Sequence, residues 1–167
     1  MGDGMRHLLL ATVLAVLGAS PAAAWDYTER GGDIDTWISA YQNDDSGQYE
    51  LAVTCSDLFP DDSDVAIYLP SKWDDTASYA PEAAFTVVVD GVEIGPLSAR
   101  WENIDGLETI IAYETADDRV RPLFDQLRQA KTGVSVSFFD KTLSFKVNGA
   151  ERMIGKFLET CDGQPAY

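Results

Sequence analysis

Ala83-Ala84-Phe85-Thr86-Val87-Val88-Val89-Asp90-Gly91-Val92-Glu93-Ile94 is the stretch that decides how this chain folds. Phe85, Val87 and Val89 alternate with smaller or polar neighbours, as a strand with one buried face requires. Asp90-Gly91 follows, then Val92 and Ile94 resume the pattern. Both residues of an Asp-Gly pair tolerate the positive φ of a type I′ turn, so the segment reads as a tight β-hairpin. The architecture to expect is therefore an antiparallel sheet.

The same alternation extends outward on both sides. Leu97 to Trp101 continues the meander, and Leu107, Thr109, Ile111 and Tyr113 share one face of a further strand. Upstream, Asp64 to Leu69 places Val65, Ile67 and Leu69 inward, with Pro70 as its expected end. Gln48 to Cys55 puts Tyr49, Leu51, Val53 and Cys55 on one face and Glu50 and Thr54 on the other, as a half-buried strand. Trp25 to Gly47 is polar, with Asp33 to Ile38 a short strand or turn.

Beyond Tyr113 the period changes. Val120, Leu123, Phe124 and Leu127 form a helical stripe over about Asp118 to Lys131. Thr115, Asp117 or Asp118 is placed to cap it, and Pro122 falls in its first turn. Val134, Val136 and Phe138 form a strand, Asp140 to Thr142 turns the chain, and Leu143, Phe145 and Val147 return. Asn148, with Glu151 three residues on, is positioned as a capping box. The helix it opens carries Met153, Ile154, Phe157, Leu158 and Cys161 on one stripe. The sum is an α+β domain: an antiparallel β-sheet or small β-sandwich with two helices in the C-terminal half, covering one face or end.

Residues 1–24 read as a secretory signal peptide. Arg6 supplies a weakly basic start, partly offset by Asp3, and Met5 would open a cleaner one. Leu8 to Leu17 is apolar, and Ala22 and Ala24 stand where signal peptidase requires small residues. The apolar run is short for a membrane span and breaks at Ser20-Pro21. Residues 25–167 then form a single domain with a short flexible tail after Gly163, working in the periplasm or extracellular space. In that oxidising setting Cys55 and Cys161, the 2 cysteines of the chain, are expected to form a disulfide. It would join an early strand to the last helix through two core-facing positions, worth about 4–5 kcal/mol in chain-entropy terms.

The closing third has a recognisable cadence. Gly133-Val134-Ser135-Val136 is followed by Leu143-Ser144-Phe145-Lys146-Val147-Asn148-Gly149-Ala150, then Met153-Ile154 and Cys161, while Cys55 lies on an upstream strand followed by Leu58. In this the chain resembles small exported proteobacterial proteins of the invasion-associated locus B-like kind, and type VI secretion accessory proteins of related pattern. The resemblance implies a β-rich exported protein without assigned enzymatic activity. The chain lacks the additional cysteines of the invasion-associated locus B relatives, and the resemblance transfers no functional residue.

The chemistry is bounded by what the composition excludes. The single histidine, His7, lies in the leader. Residues 25–167 therefore hold no Ser-His-Asp triad, Cys-His dyad or histidine-ligated metal within one chain. Lys plus Arg is 12 against Asp plus Glu 28, a net charge of −16, which disfavours nucleic acid and anionic lipid and suits a basic-surfaced partner. The densest acidic run, Asp57, Asp61, Asp62 and Asp64, lacks the glycine and distal glutamate of an EF-hand and is interrupted by Pro60, so it reads as a solvated acidic turn rather than a calcium loop. No cofactor motif is present.

Paired carboxylates remain as one catalytic option, with Glu82, Glu93, Glu102 and Glu108 as candidate acids and Trp37, Trp73, Tyr79 and Trp101 as sugar-stacking rings. Aromatic residues in polar loops also anchor protein interfaces, which makes Trp73, Tyr79 and Trp101 a candidate interaction surface. The plainer reading has the tryptophans filling the margins of the core. The expectation is an exported, non-enzymatic protein-binding or accessory protein of the cell envelope. A carbohydrate or cell-wall binding module with weak hydrolase activity, and a structural subunit of an envelope complex, are the alternatives.

Overall fold

The computed structural model describes residues 24–31, 35–59, 62–80 and 82–162. The leader expected over 1–24 (apart from Ala24) and the tail after Asp162 lie outside the described residues, as do Asp33, Ile34, Pro60 and Asp61.

The chain is an α+β fold whose strands are β1 (Asp26–Gly31), β2 (Thr36–Asn43), β3 (Glu50–Ser56), β4 (Asp64–Lys72), β5 (Ala83–Val89), β6 (Val92–Ile104), β7 (Leu107–Tyr113), β8 (Val134–Phe138) and β9 (Lys141–Phe145). They join in one nine-stranded sheet of order β1-β2-β3-β4-β7-β6-β5-β8-β9. Every neighbouring pair is antiparallel. The helices are α1 (Val120–Gln129) and α2 (Ala150–Asp162).

The decisive hairpin forms as its sequence requires. Asp90 and Gly91 have φ of 51° and 84°, and Val89 pairs with Val92. A second Asp-Gly turn, Asp105-Gly106 with φ of 54° and 80°, reverses the chain between β6 and β7. Between these turns β6 runs 13 residues. Its first half pairs with β5 and its second with β7, so one strand knits both halves of the sheet together. The bulge opposite Thr86 needs Gly95: at φ 140° an added Cβ would stand 3.0 Å from the Thr86 backbone.

Several boundaries differ from the sequence expectations. The polar start contains β1 and a full-length β2 rather than a short strand or turn; Ile38 and Ala40 on β2 are buried. Pro70 does not end β4. It lies where the pairing of β4 with β7 skips from Tyr68 to Lys72, an irregular stretch that tolerates a residue without an N–H donor. Helix α1 begins at Val120 after Arg119, and no side chain caps its N-terminus. Asp117 instead accepts from the backbone N–H of Ser98 (2.8 Å) and from Arg119, whose guanidinium also donates to Pro96 O at 2.7 Å. The hydrogen bond from Arg119 holds the Asp117 carboxyl down to about 2. Helix α2 begins one residue later than a cap at Asn148 requires, because Gly149 accepts the first helical bond, from Met153 N–H at 2.9 Å. The reversal before β9 is made by Phe139 and Asp140, since Phe138 pairs with Lys141.

Both helices cover one face of the sheet. Phe124 of α1 meets Phe157 of α2 edge-on at 5.5 Å. Ile154, Phe157 and Cys161 bury against Ile38, Val53 and Cys55. Cys55 and Cys161 are disulfide-bonded across a sequence separation of 106. Trp25 docks rather than trailing: it is 2% exposed, its N–H donates to Asn148 O (2.8 Å) and its Nε1 to Lys146 O (3.1 Å). No helix among the described residues is long and apolar enough to cross a membrane.

Candidate functional site

Strand alternation sends successive side chains to opposite faces. On β6 this divides Trp101, which pairs with Ile110 on the helix-covered side, from Glu102, which pairs with Thr109 on the other. Each residue belongs to a different surface feature.

On the Trp101 side lies an aromatic ladder. Trp73 stacks on Tyr79 with centroids 4.1 Å apart, Tyr79 tilts against Trp101 at 5.5 Å, and Trp101 stacks on Phe139 at 5.9 Å. The three aromatic residues singled out in the sequence thus come together, from the β4–β5 loop and from β6. Hydrogen bonds fix the loop. Trp73 N–H donates to Gly106 O (2.9 Å), Trp73 Nε1 to Asp75 (2.8 Å), Asp74 N–H to Tyr79 Oη (3.1 Å), and Tyr79 Oη to Glu108 (2.8 Å). Trp101 also packs on the core, whereas Trp73 and Tyr79 are half-buried outside it.

Phe139 is the member the sequence reading missed. It is 70% exposed and stands at φ 50° in the first position of a two-residue hairpin loop. Bulky residues adopt that conformation rarely and at a cost of order 1 kcal/mol or more. Glycine or asparagine is the usual occupant. The sequence cue was present in Phe138-Phe139-Asp140, where one aromatic residue must face away from the core.

On the Glu102 side the sheet forms a cleft of about 520 Å³. Its floor follows from register. Thr54 on β3 pairs with Asp64 on β4, which pairs with Tyr113 on β7, so these side chains stand in one row. Tyr68 and Glu102 rise beside them, and Arg30 and the 52%-exposed Trp37 stand at the rim. Sequence alternation marks this face of β3 and β4 as outward. It is nevertheless buried: Ala52, Thr54, Ser56, Asp64 and Ala66 are all shielded. Small side chains at Ala52 and Ala66 beside large ones at Tyr68 and Tyr113 were the available signal.

Asp64 is 5% exposed, so it is no part of a solvated acidic turn. Its Oδ2 accepts from Thr54 Oγ1, and its Oδ1 has no hydrogen-bond partner. Burial pushes its carboxyl up to about 7, and the nearby charges of Asp62 and Glu102 push the same way. Burial likewise raises Tyr113 to about 12 and raises Tyr68. Tyr113 Oη donates to Glu102 at 2.9 Å, and Arg100 lies 4.4 Å over the Tyr113 ring while pairing with Glu102. The Arg100 guanidinium is therefore committed.

The remaining sequence candidates scatter. Asp57 accepts from Thr36 N–H at 2.9 Å, Asp62 accepts from Thr115 Oγ1 at 2.8 Å, and neither shares a pocket with Asp64. Glu82 and Glu93 are solvent-exposed and line no part of the cleft, and Glu108 serves Tyr79. No group of three or more His, Cys, Asp or Glu among the described residues is placed to hold a metal ion. No protein-family model, curated protein or solved structure matches this chain.

Proposed function

We propose that this is an exported binding or accessory protein that engages a protein partner through the Trp73–Tyr79–Trp101–Phe139 ladder. The observation that carries the reading is Phe139, a large apolar ring held exposed in a left-handed backbone position. Neither solubility nor folding rewards that placement, whereas a partner that buries the ring does. Exposed Asp74 and Asp75 flank the aromatic centre and the whole chain carries −16, which suits a partner with basic residues around an apolar contact. The disulfide and the leader pattern support action outside the cytoplasm.

The glycan reading fits this surface less well. Sugar platforms present a row of open ring faces, whereas the inner rings here, Tyr79 and Trp101, each lie against two other rings. The test is a photo-crosslinking phenylalanine analogue placed at Phe139 in the source cell, with the same analogue at exposed Val92, in the β5–β6 hairpin, as control. One protein crosslinked from position 139 and not from 92 is the expected result. Crosslinks equal at both positions, or retention on cell-wall material without a protein adduct, would sink the proposal.

A further inference from the structure

The cleft on the opposite face asks for chemistry that the ladder does not. We propose that it is a binding site for a small organic cation, whose ammonium group pairs with the Asp64 carboxylate beside the Tyr68, Tyr113 and Trp37 side chains. The inference is independent of the ladder and survives its failure.

Asp64 is the reason. A carboxylate oxygen buried without a donor carries the full cost of its lost hydration, and native structures keep such groups rarely. Thr54 satisfies one oxygen and leaves the other open. Among the described residues, Arg100 is held by Glu102 and Tyr113, and Arg30 stands at the rim without a hydrogen bond to Asp64 Oδ1. Gln42, another described side chain with unpartnered buried polar atoms, shares the core face of β2 with Ile38 and Ala40 and lines no part of the cleft. A ligand's ammonium group supplies the partner that the described residues do not.

Three properties select an ammonium compound. The cleft is acidic, with Asp64, Glu102 and Asp105 facing Arg30. Aromatic side chains border it, and a cation over such rings is attracted by their electron-rich faces. A metal ion is a poor fit, since calcium takes six or more oxygens and, among the described residues, no three His, Cys, Asp or Glu side chains are placed together to hold one. The volume of about 520 Å³ suits a ligand between an amino acid and a short polyamine in size.

Binding should release a proton. The charged and titratable groups facing Asp64 are Asp62, Tyr68 on β4, Tyr113 on β7, Glu102 on β6, Glu50 on β3 and Arg30 on β1. Asp64 is the one pushed to about 7, and a cation stabilises its ionised form. Affinity should therefore fall about tenfold from pH 8 to pH 6.

The experiment is calorimetric titration of the oxidised chain with putrescine, spermidine and choline, with glycerol and glutamate as neutral and anionic controls. The expected result is submillimolar binding of at least one cation at pH 8, the tenfold loss at pH 6, and a further loss of tenfold or more in Asp64→Asn. Trp37→Ala, a change at an exposed rim position, should weaken binding severalfold, and it tests the site even if Asp64→Asn fails to fold. Absence of cation binding at millimolar concentration refutes the proposal. So does equal binding by Asp64→Asn and Trp37→Ala, which would assign the affinity to diffuse surface charge.

Discussion

Replacing Asp64 by asparagine should change how stability depends on pH, and the size of the change follows from burial. An ordinary aspartate ionises near 3.8, whereas burial pushes Asp64 to about 7 in the folded chain. As pH rises from about 4, the unfolded chain gives up this proton first. Stability is thus fully present below the unfolded value and is lost as pH climbs to the folded one. At about 1.4 kcal/mol per pH unit, the loss amounts to about 4 kcal/mol between pH 4 and pH 8. Asparagine does not titrate and can still accept from Thr54. Groups with lowered values, such as Asp117 at about 2, lose their contribution only in stronger acid and are common to both proteins. The quantity to measure is the stability of Asp64→Asn minus that of the wild type, by urea unfolding at pH 4, 6 and 8. That difference should swing in favour of the variant by about 4 kcal/mol across the range. A difference constant to within about 1 kcal/mol would mean that Asp64 ionises normally, and the reasoning from burial would be wrong.

Other perturbations probe the frame that holds both surfaces. Phe124→Ala removes a fully buried ring set edge-on to Phe157 and should cost about 3–5 kcal/mol in chemical unfolding. Changing Cys55 and Cys161 together to alanine should cost about 2–5 kcal/mol, while peptide mapping without reductant should recover the two cysteines as one linked pair from the wild type. Asp90 accepts from Lys131 N–H (2.8 Å), Thr132 N–H (2.7 Å) and Gly133 N–H (3.2 Å), and these bonds, those from Thr132 foremost, hold it down to about 2. Asp90→Ala should therefore speed amide hydrogen exchange at 131–133 and leave exchange in β3 unchanged.

Strand existence was legible wherever one face alone is buried. The alternation of Phe85 to Val89 read correctly because core packing imposes period two, whereas Leu51 to Cys55 was recognised as a strand but is buried on both faces rather than one. The helices were legible for the corresponding reason at period 3.6, and Cys161 fell on the buried stripe that meets Cys55. Legibility failed where neighbours outside the local window decided the outcome. Strand β1 is largely exposed, so it carries no alternation to detect; its pairing with β2 defines it. Pro70 looked like a terminus because the irregular pairing that admits it involves β7, far along the chain. Asn148 looked like a cap, yet its carbonyl is taken by Trp25.

Local pattern along the chain was enough to read the antiparallel α+β class, the hairpin at Asp90-Gly91 and the aromatic residues available for contact. These follow from periodicity and turn stereochemistry, which act within a few residues. Tertiary structure alone decided that Trp73, Tyr79, Trp101 and Phe139 stack into one surface, and that Asp64 is a buried acid with an open oxygen. Both results depend on register and on what covers the second face of the sheet, and those are set by strands distant in sequence.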